Sequence, residues 1–107
     1  MGKLIVDGSL KTTYDDRALA HLQLAILGKL RIAEPFVFTW KDDPSIGGGR
    51  TTVWIHAWTN LVFKFDSSQR PLINPAWVRA LAFAANAPSG LYLVPEPAEK
   101  TLAPVDA

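Results

Sequence analysis

Few side chains in this chain are typed and spaced for chemistry. There are two histidines, His21 and His56, and no cysteine. Neither histidine has ligand or triad spacing around it, and a thiolate metal site or catalytic thiol is excluded outright. The carboxylates come as neighbours rather than as an acid–base pair. Asp15-Asp16 precedes a run of good helix formers, where an acidic cap belongs, and Asp42-Asp43 precedes Pro44, which is turn chemistry. What remains suits the binding of an anion such as a phosphate. In Ser45-Ile-Gly-Gly-Gly-Arg50, the residues Gly47, Gly48 and Gly49 permit backbone conformations closed to other residues. Successive amides there can form an anion-binding concavity, Arg50 can add a two-pronged clamp, and Thr51 follows at once. The loop leads into a strand and lacks Gly-Lys-Ser/Thr, so it is not a nucleotide P-loop. A plainer reading makes it a hairpin tip.

The second group lies on strands. Thr52, Trp54, His56 and Trp58 alternate along one run, opposite Val37, Thr39 and Lys41 on the run before and Val62 and Lys64 on the run after. Aromatics interleaved with lysine can stack on bases and neutralise phosphates. The competing reading is that Trp54 and Trp58 shield the sheet or pack at a dimer interface.

The elements that must position these groups follow from periodicity. Lys3–Val6 and Leu10–Tyr14, separated by Asp7-Gly8, read as a hairpin. Residues 17–30 form a helix with a stripe of Leu19, Leu22, Ile26, Leu27 and Leu30. Gln23 falls inside that stripe as a buried amide, and Arg17, His21, Gly28 and Lys29 fall opposite it. Residues 36–41, 51–58 and 61–65 alternate as strands, with Phe36, Phe38, Trp40, Val53, Ile55, Ala57, Leu61, Phe63 and Phe65 on the inward side. Asn74-Pro75 opens a second helix that runs to Ala85, and Leu91–Val94 is the last strand. The order β-β-α-β-β-β-α-β specifies an α+β fold, an antiparallel sheet with both helices on one face. Residues 1–94 form one domain, and 95–107, rich in Pro and Ala, form a flexible tail.

Composition bounds the function further. Eleven basic and 10 acidic residues leave a net charge of +1 among 107 residues. The isoelectric point of about 8.1 lies below the ~9 typical of strongly basic nucleic-acid-binding domains. No apolar run can span a bilayer, no leader-like segment opens the chain, and the lack of cysteine fits a cytoplasmic protein. No cofactor or metal is expected. With 49% apolar residues, some apolar surface is left over for a partner, and a homodimer is one candidate.

Several motifs together carry a resemblance: Met-Gly-Lys-Leu-Ile5, Asp15-Asp16-Arg17-x-Leu-Ala-His-Leu22, Phe36-x-Phe-x-Trp40, Ser45-x-Gly-Gly-Gly-Arg50, Trp54-x-His56 and Leu93-Val-Pro-Glu-Pro97. Over nearly the whole chain it resembles a family of short bacterial, mostly actinobacterial, proteins of unknown function, often labelled "ATP-dependent DNA ligase". The label implies nucleotidyl transfer. That chemistry needs a Lys-x-Asp-Gly nucleophile, and at Asp7-Gly8 the lysine's place is taken by Ile5. Ligase activity is therefore not expected. The central α-β-β-β-α order is also similar to the double-stranded RNA-binding domain, but the last helix starts Asn74-Pro-Ala-Trp-Val-Arg79, with one basic residue. The reading that results is a non-enzymatic binding or interaction module. It would use Trp54, His56 and Lys64 together with Gly47, Gly48, Gly49, Arg50 and Thr51. The alternative is nucleic-acid binding in particular.

Overall fold

A computed structural model describes residues 1–98 and 103–104. Strands β1 (Gly2–Val6) and β2 (Leu10–Tyr14) form the N-terminal hairpin. Asp7 and Gly8 at its turn take φ of 50° and 75°, the left-handed region that a tight hairpin requires. Helix α1 (Asp16–Arg31) follows, capped by Asp15, whose Oδ1 accepts from Ala18 N at 2.7 Å. Strand β3 (Phe36–Lys41), a short 3-10 turn (Pro44–Ile46) and β4 (Arg50–Ile55) form a second hairpin. Strands β5 (Leu61–Lys64) and β6 (Leu72–Ile73) precede α2 (Pro75–Ala85), and β7 (Ala103–Pro104) pairs with β6. Of the expected tail, residues 99–102 and 105–107 lie outside the described residues.

The strands are antiparallel, but they divide into ladders. One has the order β2-β1-β5 and another is the pair β3-β4. Strand β5 thus bonds to β1 across a long stretch of sequence, not to its neighbour β4. The turn after β4 explains this. His56 N donates to Thr59 Oγ1, Thr59 N donates back to His56 O, and the strand ends at Ile55, not Trp58. Asn60 is then fastened to Asp7, which delivers β5 to the open edge of β1. Strands β3, β4 and β5 therefore do not form the single meander of a double-stranded RNA-binding domain. The expected strand 91–94 reduces to one parallel bridge, in which Leu91 N donates to Val37 O and Thr39 N donates to Leu91 O.

Both ladders turn their alternate residues to one core. Leu4 and Val6 of β1, Phe36 and Phe38 of β3 and Ile55 of β4 meet Leu19, Leu22 and Ile26 of α1 and Trp77 and Leu81 of α2. The helices pack on one another as well as on the strands. That second contact overturns part of the helical-wheel reading. His21 and Lys29, placed on the polar side of α1, are both buried, because α2 covers that side. Gln23, expected to be buried, is only half-buried. Lys29 Nζ reaches Glu34 Oε1 at 2.6 Å and also bonds Asn86 Oδ1, so its charge is not stranded.

Candidate functional site

The faces of β1 to β5 turned away from the helices carry the charged residues of these strands. These five strands contain five charged residues, Lys3, Lys11, Lys41, Arg50 and Lys64, and every one is basic. All five are exposed, because each alternates with residues that face the core. Two pairs stand directly opposite one another, Lys3 with Lys64 across β1-β5 and Lys41 with Arg50 across β3-β4. Like charges in that register repel by roughly 0.2–1 kcal/mol. No acidic side chain among the described residues forms an ion pair with any of the five. Among the described residues the carboxylates lie elsewhere, at helix ends, at turns and, for Glu96, in the segment after Leu91.

Aromatic and hydroxyl groups lie among these cations. Trp54 is 60% exposed and Trp58 is 90% exposed. Trp54 pairs with Val37, and Thr39 pairs with Thr52, whose hydroxyls are 3.1 Å apart. Trp58 projects because its own N–H donates to His56 Nδ1 at 3.1 Å and turns the chain outward. His56 is thereby a half-buried turn former. Arg50, Trp54 and Thr52 share one ladder with Lys41. Lys64 belongs to the other ladder, where its companions are Lys3 and Lys11. Thr51 falls on the other side of its strand and donates its hydroxyl to Asp42 Oδ1 at 2.7 Å.

The glycine loop has a defined conformation. Asp43 Oδ1 accepts from Ser45 N, Gly47 N donates to Pro44 O and Gly48 N donates to Asp43 O. Gly47 and Gly48 need their glycine, with φ of 113° and 70°. Two of the loop's amides are thus spent on the chain's own carbonyls. Arg50, at the end of the loop, is exposed.

Sequence reasoning missed Lys3 and Lys11. The signal was present as a strand-by-strand absence of Asp and Glu, but nothing local joins the N-terminal hairpin to β5. A second polar cluster sits between the helices and is closed rather than open. His21 donates Nδ1–H to Arg17 O at 2.7 Å and accepts from Asn74 N at Nε2, 2.9 Å. The Asn74 Nδ2 group donates to Glu96 Oε2 and to Pro97 O, and Arg17 forks onto Glu96. The Arg17 guanidinium lies 5.5 Å from the centre of the Trp77 ring. Burial pushes the His21 imidazole below its ordinary pKa. The bonds from Arg17 and Asn74 hold the Glu96 carboxyl down at about 2. With each polar atom satisfied, this cluster is a clasp between α1, α2 and the segment after Leu91. Among the described residues no group of three His, Asp or Glu is arranged to hold a metal.

A family model described as a domain of unknown function (DUF7882) matches residues 1–96. The chain belongs to this family. The match ends at Glu96, within the segment that the clasp holds. No curated protein and no solved structure matches the chain.

Proposed function

We propose that the domain is a non-enzymatic binding module that lays an extended anionic partner, single-stranded nucleic acid, along its helix-free strand faces. One observation carries the reading: five cations stand on these faces, two pairs in direct opposition, with no anion among them. A phosphate chain would relieve that repulsion and gain both charges of each pair. Trp54 and Trp58 are exposed where bases can stack, a contact worth about 1–3 kcal/mol per base. The small net charge does not argue against this, since strands β1 to β5 contain no Asp or Glu. Binding of this kind needs no strand joining, in keeping with the missing nucleophile motif.

Quenching of tryptophan fluorescence by oligothymidylate, titrated at several salt concentrations, tests the proposal. If all five cations are engaged, log K falls against log salt with a slope of about −3.5. Arg50→Ala should weaken binding about tenfold to a hundredfold, since a charged hydrogen bond contributes about 1.5–3 kcal/mol, and should leave the Tm unchanged. No quenching at low salt, or a salt-independent affinity, would overturn it.

A further inference from the structure

Helix α1 carries more apolar surface than the strands and α2 cover. Leu19, Leu22 and Ile26 are buried in the core, whereas Leu24 and Leu27 stay half-buried on another side of the helix. They form one wall of a groove of about 490 Å³. The other wall is the segment from Phe65 to Pro71, which leads into β6. Arg31 and Arg70 also line the groove, and no carboxylate does. Among the described residues neither arginine is in an ion pair.

Strand β7 brings the chain's own C-terminal segment to the end of this groove. It pairs antiparallel with β6, Ala103 opposite Ile73 and Pro104 opposite Leu72. Ile73 is buried and Leu72 is half exposed, so the side of Ile73 is the inward side of this ladder. The same register extended by two residues sets Val105 opposite Pro71, on the inward side, and Asp106 opposite Arg70. The sequence thus offers an apolar side chain where the groove is apolar and a carboxylate where it is cationic. Pro71 has no N–H to donate, so side-chain contacts rather than ladder hydrogen bonds must carry the chain past Leu72. Attachment through β7 favours them, because a segment on a short tether meets its site at an effective concentration of about millimolar.

We propose that the groove between α1 and residues 65–71 is the docking site of residues 105–106 of the same chain. Val105 packs on Leu24 and Leu27, and Asp106 pairs with Arg70. The docked segment covers the apolar strip that α2 leaves open and ties α1 to β6.

Nuclear Overhauser contacts between methyl groups of the intact chain test this. Contacts from Val105 to Leu24 and Leu27 are expected. In a mixture of labelled and unlabelled chains, filtered to report contacts between copies, they should be absent. Contacts between copies would assign the groove to a second molecule and overturn the proposal. Asp106→Lys sets like charges opposite one another and should lower the docked population about fivefold. Adding Arg70→Glu to that variant should restore it. Unchanged signals from Leu4 and Ile26 show that the core is intact in each variant. No contact from Val105 to either leucine, contacts equally strong in Asp106→Lys, or no recovery in the double variant overturns the docking.

Discussion

Replacing Asn74 by alanine isolates the clasp between the helices. The side chain is 1% exposed and does three things. Its Oδ1 accepts from Ala76 N at 3.0 Å and caps α2, while its Nδ2 donates to Glu96 Oε2 at 2.8 Å and to Pro97 O at 2.9 Å. Losing an Asn cap costs about 1 kcal/mol. Removing a buried amide's remaining bonds, with Pro97 O left short of its donor, costs roughly a further 1–3 kcal/mol. Glu96 loses one donor but retains Arg17, so its loss is partial. The expected total is about 3 kcal/mol, which for a domain of this size lowers the Tm by roughly 12–24 °C. Urea unfolding followed by tryptophan fluorescence reads it, with the slope m unchanged if only stability moves. Asn74→Ser keeps a capping oxygen but not the amide's two donors, and should recover about 1 kcal/mol. A loss under about 1 kcal/mol for Asn74→Ala, or no recovery with serine, would refute the reasoning.

Acid should loosen the same region in two stages. Folding depresses the His21 pKa, so below the ordinary imidazole value of 6.5 the unfolded chain takes a proton that the fold refuses, and stability falls as the pH falls. Glu96 is also depressed, from 4.5 to about 2, so its contribution is complete above 4.5 and is lost as pH falls toward 2. Urea midpoints at neutral and mildly acidic pH check the first stage, and Glu96→Gln should flatten the second; equal midpoints at neutral and mildly acidic pH would count against the buried His21. Two glycines should respond in opposite ways. Gly90 has φ +91°, and a Cβ there would lie 2.7 Å from Val37 O, so Gly90→Ala should break the Leu91 bridge and cost at least about 2 kcal/mol. Gly28 on α1 has open space around it, and Gly28→Ala should raise stability by about 0.5–1 kcal/mol by the same assay.

Much of this protein was legible locally. Asp15 and Asn74 cap the helices because a short side-chain oxygen meets free amides within a few residues, a fact of sequence spacing. Alternation along residues 36–41, 51–55 and 61–64 separated the buried Phe36, Phe38 and Ile55 from the exposed Trp54 and Lys64, since side chains in a strand alternate whatever the strand's partner. Trp54 was found in this way, and Arg50 by its place directly after the glycine loop. The choice of partner was not local. Strand β5 left β4 for β1, His21 and Lys29 were buried by a second helix that a one-partner wheel does not include, and Lys3 and Lys11 joined Lys64 only through that pairing. The opening between β2 and β3, lined by Thr12, Thr39 and Trp40, exists because two ladders share one core without bonding to each other. Caps and alternation are set by neighbours in the chain, whereas strand pairing and helix contacts are settled among segments distant in sequence, where burial of the common core decides.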